Sequence, residues 1–287
     1  MPDPRVVTPP VRHPSEDSPY ARRLGWQLER LDAGSARLLL PFREENTNPG
    51  SVLHGGVAAS LAAAGARAVA AAALGPDGAP FHLAQVHVSY LAAAQAEPVV
   101  AEARLLRGGK ALCFVEVDVT GADGRPIAHA TATVRGRFGA APPVLAAADG
   151  DEGGDDPGPL GPHVVKTPFM ARLGLRVEHM QDSRSRIVLP GLAENADLGG
   201  GIHEGALLAL LDTTGAMAAW ATTGPGRFKA STASLQAQIL APPPPGDLVA
   251  FGRLLQRDGD TFWTGVEVGG AGGRRVAGGS VLYRIVS

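Results

Sequence analysis

The chain repeats itself. Residues 20–138, moved forward by 149 positions, lie on residues 169–287 without a gap. Arg23-Leu24-Gly25 falls on Arg172-Leu173-Gly174, Glu45-Asn46 on Glu194-Asn195, His54 on His203, and Arg104-Leu105-Leu106 on Arg253-Leu254-Leu255. A register held over that span marks an internal duplication, so the chain is expected to fold as two related units. Each unit, at roughly 120 residues, is large enough to bury a core of its own. Residues 1–19 read as a polar, Pro-rich arm, 20–138 as the first repeat, 139–162 as a linker and 163–287 as the second repeat. The acidic residues of the linker (Asp151, Glu152, Asp155, Asp156) are read as a solvated spacer and not as a metal site.

Charge and cysteine content narrow the partners. With a net charge of −2 and a pI near 6.4, neither nucleic acid nor an anionic membrane is expected to bind. Cys113 stands alone and has no partner for an internal disulfide, and the arm lacks the apolar stretch of a signal peptide, so a cytoplasmic location is expected. The Ala-rich runs 57–74 and 206–223 resemble membrane spans in length, but Arg67 and Asp212 interrupt them, which favours buried helices.

Each repeat carries the same order of elements. A short helix or turn ends at Leu24-Gly25 (Leu173-Gly174), followed by a strand at 36–40 (186–189) and a loop of Asn, Gly and Pro. One long helix is predicted over 54–74 (203–223), free of β-branched runs and stopped by Gly75 or Gly224. Strands are then predicted at 82–91, 99–106, 111–120 and 127–137, and at 230–240, 248–255, 262–268 and 276–285. Alternation is plain in Phe114-Val115-Glu116-Val117-Asp118-Val119. One helix and a run of antiparallel strands imply an α+β unit, a sheet wrapped round a helix, whose open edges are best closed by pairing two units.

The segment Asn48-Pro49-Gly50-Ser51-Val52-Leu53-His54-Gly55-Gly56, opening an Ala-rich helix, resembles the hotdog-fold acyl-CoA thioesterases of the PaaI type. The second copy reads Asp197-Leu198-Gly199-Gly200-Gly201-Ile202-His203-Glu204-Gly205, and the repeat register supports the same assignment there. The resemblance implies two tandem hotdog units packed as a pseudo-dimer. It also implies hydrolysis of an acyl-CoA thioester, with coenzyme A entering only as part of the substrate and no metal or other cofactor. A homodimer of double-hotdog chains is the implied assembly. In that family an Asp follows the His by nine residues, and a Ser or Thr on the next strand helps to place the water.

Helix geometry says how such a site must be built. The first amides of a helix lack intrahelical acceptors and carry positive partial charge, and a glycine there admits a substrate carbonyl. Gly55 N–H is therefore the expected oxyanion donor, with Asn48 donating or orienting water and His54 bracing the loop. Nine residues along a helix are about 13–14 Å and half a turn, so the acid must serve the helix start of the other copy. Copy one has Asn48, His54 and Gly55, but Ala63 at the acid position and Leu83 at the hydroxyl position. Copy two has Asp212 and Thr232, but Asp197 and Glu204 in place of Asn48 and Gly55. The losses are complementary. One composite site, Asn48, His54, Gly55, Asp212 and Thr232, is complete, and the other lacks every working part.

Several readings stay open at this level. Asp212 serves as general base or as nucleophile, and a lone Asp in such a helix also fits an interface residue capping a loop. Ser231 and Ser234 compete with Thr232. Arg107 and Lys110, in the turn Arg107-Gly108-Gly109-Lys110, and Arg257 in copy two are the expected contacts for coenzyme A phosphates. Leu61, Leu208, Leu211, Phe228 and Trp263 are the expected acyl-pocket walls. His82, His87 and His129 lack metal-ligand spacing, and no Gly-x-Ser-x-Gly elbow occurs. The rival functions are a non-hydrolytic acyl-CoA-binding protein and, last, a hydratase, for which Asp197 and His203 are poorly spaced.

Overall fold

The computed structural model describes residues 17–139, 146–148 and 154–286. Most of the arm, and Asp151 and Glu152 of the linker, lie outside the described residues. The first repeat contains α1 (Pro19–Leu24), β1 (Gln27–Leu31), β2 (Ser35–Leu40), a ribbon of β3 (Thr47–Asn48) and β4 (Val52–Leu53), and the long helix α2 (Gly55–Leu74). Strands β5 (Phe81–Tyr90), β6 (Val99–Gly108), β7 (Leu112–Gly121) and β8 (Pro126–Gly136) complete it. The second holds α3 (Gly161–Val164), α4 (Pro168–Leu173), β9 (Arg176–Gln181), β10 (Arg184–Leu189) and the long helix α5 (Glu204–Thr223). It ends with β11 (Lys229–Ile239), β12 (Leu248–Asp258), β13 (Thr261–Gly269) and β14 (Arg275–Val286).

One twelve-stranded sheet runs through both repeats in the order β1-β2-β6-β7-β8-β5-β11-β14-β13-β12-β10-β9. Its centre is the antiparallel pair β5–β11, where Ser89 faces Ser234 and Gln85 faces Gln238. Each repeat thus closes the other's open edge, which removes two edges that would otherwise invite intermolecular pairing. The edge strands β1 and β9 escaped the sequence reading because neither alternates: β1 buries only Leu28, and β9 buries the adjacent pair His179 and Met180. Such a strand leaves little period-two signal.

Helix α2 packs against β5–β8, and α5 against β10–β14. Helix α2 is long and apolar enough to cross a membrane, yet most of it is buried inside the fold. The two helices cross in antiparallel sense at their glycines. A β-carbon built on Gly56 would lie 2.6 Å from Ala209 Cβ, and one on Gly205 2.6 Å from Ser60 Oγ. No larger residue fits at this crossing, which is why both copies have glycine there.

The repeated Arg-Leu-Gly and Glu-Asn pairs turn out to hold the two units together. Arg23 donates to Asn195 Oδ1 at 2.8 Å and to the Arg172 carbonyl, while Arg172 donates to Asn46 Oδ1 at 2.9 Å and to the Arg23 carbonyl. Each Asn amide also donates to the carbonyl that ends the short helix of its own copy, Leu24 for Asn46 and Leu173 for Asn195. The motif is repeated because each copy supplies half of a reciprocal clamp.

Residues 154–156 lie along β9 and do not run free. Met180 N–H donates to the Asp156 carbonyl at 2.8 Å, and Asp155 pairs with Arg186. Both acids stay exposed to solvent, while the second repeat takes up the Asp156 carbonyl and pairs Arg186 with Asp155.

Candidate active site

The start of α2 is made by His54. Its backbone is extended (φ −69°, ψ 137°), and its ring Nδ1 accepts from Gly56 N–H at 2.9 Å, so the imidazole is the helix N-cap. The His54 carbonyl takes Val57 N–H (2.9 Å) and Ala58 N–H (3.4 Å). Gly55 N–H has no acceptor among the described residues, and it points out of the helix as an unused donor. Burial lowers the His54 pKa to about 4, so the ring is neutral near pH 7 and Nδ1 keeps its lone pair for the cap. Phe169 from the second repeat packs against this ring, with centroids 4.9 Å apart. His203 repeats the arrangement, capping Gly205 N–H at 2.9 Å beneath Tyr20 of the first repeat.

Asp212 comes to this helix start from the other repeat. It lies in the third turn of α5 and is buried at 4% exposure. Its Oδ1 accepts from Thr232 Oγ1 at 2.7 Å. Its Oδ2 sits 3.0 Å from the point where a β-carbon on Gly55 would be. A bulge in β11 between Thr232 and Ser234 shifts the strand's alternation, allowing both Thr232 and Leu235 to face the helix. Thr232, and neither Ser231 nor Ser234, hydrogen-bonds the carboxylate. Burial raises the Asp212 pKa to about 6 against the opposing pull of the Thr232 hydrogen bond.

Two tyrosines missed in the sequence stand beside this carboxylate. The ring of Tyr90, at the end of β5, reaches within 3.3 Å of the same β-carbon position on Gly55, and its hydroxyl donates to the Gly55 carbonyl at 3.2 Å. Tyr283, directly across from Thr232 on β14, accepts at its hydroxyl from Trp220 Nε1 at 3.1 Å. Burial raises both phenol pKa values and the charge of Asp212 adds to this, so both are neutral in the physiological range. Their copy partners are Ile239 and Val134. That mismatch between repeats was the signal available in the sequence.

The mirror-image location is filled. Glu204, at the position of Gly55, is 1% exposed, and its Oε1 accepts from Leu83 N–H at 3.0 Å and lies 2.9 Å from His82 Nδ1. Arg67, one turn beyond Ala63, pairs with Asp197 at 2.8 Å and reaches Glu204 Oε2 at 3.6 Å. Burial works to raise the Asp197 carboxyl, but the charges of Arg67 and His203 and the Leu198 and Arg67 hydrogen bonds hold it at about 2. An acid stands where an oxyanion would have to form, and a guanidinium neutralises it. Arg67 was read in the sequence only as an interruption of an apolar run.

The remaining expected residues are more scattered. Asn48 lies half-buried on β3, in the ribbon that leads to His54, and its side chain makes no hydrogen bond among the described residues. Arg107 lies one residue before the end of β6 and Lys110 lies in the β6–β7 turn, both exposed. Arg257 lies 4.8 Å above the Phe262 ring, and its Nε donates to the Gly259 carbonyl at 3.1 Å. Leu61, Leu208 and Leu211 are fully buried core residues. Trp263 needs correcting as a pocket wall: its neighbours Phe262 and Thr264 face the helix, so Trp263 points to the opposite, outer face and is 41% exposed. Among the described residues, no group of three or more His, Cys, Asp or Glu is placed to hold a metal. A concavity of about 1160 Å³ opens on the outer sheet face among Gln85, Gln236, Arg253 and Gly278, and no residue of the Asp212 site lines it.

Solved structures share this architecture. A hot dog fold protein of unknown function from Alicyclobacillus acidocaldarius has a TM-score of 0.65 at 19% identity, covering 96% of this chain and 99% of its own. The protein has the hotdog fold. A candidate thioesterase from Novosphingobium aromaticivorans scores 0.66 at 19% identity, over 91% of this chain and 98% of its own. The acyl-CoA thioesterase II of Mycobacterium marinum scores 0.59 at 16% identity, over 92% and 95%. Residues 43–135 match the family model of the acyl-CoA thioesterase N-terminal domain. No curated protein matches the sequence significantly. The matched stretch spans the hotdog motif of repeat one, from before Asn48 through most of β8, whereas Asp212 lies outside it.

Proposed function

We propose that the protein hydrolyses acyl-CoA thioesters at one composite site per chain, built from the start of α2 and the middle of α5. The observation that carries this reading is the meeting of a buried carboxylate, Asp212, with an unused helix-terminal amide at Gly55. Gly55 N–H receives the thioester carbonyl oxygen and stabilises the negative charge that develops on it. Asp212, with a pKa of about 6, is ionised at neutral pH and basic enough to take a proton from water attacking the carbonyl carbon. The alternative is direct attack by a carboxylate oxygen to give an anhydride, which water then opens. Thr232 holds the carboxylate by donating to Oδ1, and Asn48 is the further donor for water or substrate. His54, committed to its cap as a neutral ring, positions Gly55 and transfers no proton. Arg107, Lys110 and Arg257 are the proposed contacts for the coenzyme A phosphates.

The deciding experiment follows thiol release from short, medium and aryl acyl-CoA esters by wild type and Asp212→Asn. Hydrolysis that falls by a factor of about 10²–10⁴ in the variant supports the site. Binding of the esters without turnover by wild type would place the protein among acyl-CoA-binding proteins instead.

A further inference from the structure

Two side chains, Asp212 and Tyr90, reach the same point beside Gly55. A β-carbon on Gly55 would meet Asp212 Oδ2 at 3.0 Å and the Tyr90 ring at 3.3 and 3.4 Å, while Thr232 holds the carboxylate from behind. The Tyr90 ring and the carboxylate therefore flank the same glycine, one reaching it from β5 and the other from α5. The Tyr90 hydroxyl spans to the Gly55 carbonyl at 3.2 Å, which ties the end of β5 to the first turn of α2. In the other half of the molecule Ile239 occupies this place, and there Glu204 has displaced the glycine. Tyrosine stands where the glycine and the carboxylate are kept, and is missing where both are lost.

We propose that Tyr90 is a positioning residue of the Asp212 site: its hydroxyl fixes the Gly55 turn, and its ring closes one side of the carboxylate to water. The proposal rests on the thioesterase reading for its kinetic part only. Physically, the hydroxyl bond limits rotation of the residue whose N–H must aim at a carbonyl oxygen, and hydrogen-bond catalysis is steep in that geometry. The ring replaces water on the Oδ2 side and so contributes to the burial that keeps the carboxylate a better base. Among the described residues, the other polar groups that interact with Asp212 are Thr232 from β11 and Tyr283 from β14; neither is charged near neutral pH. Tyr90 touches no reacting atom in this scheme and acts through Gly55 and Asp212.

Two variants separate the two parts. Tyr90→Phe keeps the ring and loses the hydroxyl, and it should lower kcat about threefold to tenfold with KM within about twofold. Tyr90→Ala opens the carboxylate to water and should lower the Asp212 titration midpoint by about one pH unit. That midpoint is read directly by carbon-detected NMR of the labelled carboxyl, assigned by its absence in Asp212→Asn, and the acidic limb of kcat/KM should move with it. The NMR reading needs no substrate, so it still decides the role of Tyr90 if wild type hydrolyses no thioester. Thermal melts establish that each variant is folded; Tyr90→Phe is isosteric and decides the matter if Tyr90→Ala is not folded. An unchanged midpoint in Tyr90→Ala together with kcat within twofold of wild type in Tyr90→Phe, or, for an inactive wild type, an unchanged midpoint by itself, overturns the proposal. With Tyr90→Ala unfolded, an unchanged kcat in Tyr90→Phe, or, for an inactive wild type, an unchanged amide shift at Gly55, does so.

Discussion

Asp212 carries its charge at an energetic cost. Its folded-state pKa of about 6 lies above the ordinary value of 3.8 because it is buried without a cation beside it. A raised pKa of this kind favours the folded state fully below pH 3.8, and the benefit is lost as pH rises through 6. Asp212→Asn should therefore be more stable than wild type at pH 8 by up to about 3 kcal/mol and lose that advantage near pH 4, as thermal melts across pH would show. The same substitution removes the proposed base, so activity and stability should move in opposite directions. The two glycines after His54 separate in the same manner. Gly55→Ala would drive a methyl against Asp212 and Tyr90, and should cost at least about 10² in kcat while the fold persists. Gly56→Ala would collide with Ala209 backbone and side chain at the helix crossing, and should cost about 1–3 kcal/mol in urea unfolding. At this scale the His-Gly-Gly motif was legible as a helix start. That its second glycine serves packing was not, because the neighbour that demands it is more than 150 positions away.

At the scale of elements, both long helices begin in the same way and differ in what faces their first turns. Around Glu204 the structure gathers an arginine from α2, an aspartate from the loop before α5 and a histidine from β5. Buried ion pairs add little net stability when intact, but removing one partner is costly. Arg67→Ala leaves the buried Glu204 and the partly buried Asp197 without their cation and should destabilise the chain by about 3–5 kcal/mol, whereas the double variant Arg67→Ala, Glu204→Gly should recover part of the loss. Chemical denaturation of the two variants provides the check. The long helices and the eight longest strands could be read from periodicity, capping and composition. The edge strands and the β3–β4 ribbon could not, since a two-residue strand has no period and the few buried residues of the edges do not alternate. Trp263 was misread for a related reason: strand alternation gives two faces but does not say which one is covered.

At the scale of the whole molecule, the chain is a pseudo-dimer whose two helix starts are furnished differently, Gly55 facing Asp212 and Glu204 facing Arg67. Calorimetric titration of Asp212→Asn with an acyl-CoA ester should give one ester bound per chain. Ala63→Asp alone should create no second active site, because Glu204 and its ion pairs still occupy the place of the oxyanion donor; stoichiometry and turnover per chain would both remain unchanged. Joining the two hotdog units in one chain lets each copy diverge on its own. In a dimer of identical subunits every loss in one site would appear in the other.

Duplication, the long capped helices, the strand pattern and the complementary losses at Asn48/Asp197, Gly55/Glu204, Ala63/Asp212 and Leu83/Thr232 were all determined by the sequence, because each is a matter of local pattern or of comparing two copies in register. Tertiary structure alone decided which atoms meet. It brought Asp212 to Gly55, selected Thr232 by a bulge that changes strand parity, set Tyr90 against both, and closed the second site with Arg67. Those outcomes depend on the antiparallel crossing of α2 and α5 and on the β5–β11 pairing, contacts between residues far apart in the chain that no local propensity encodes.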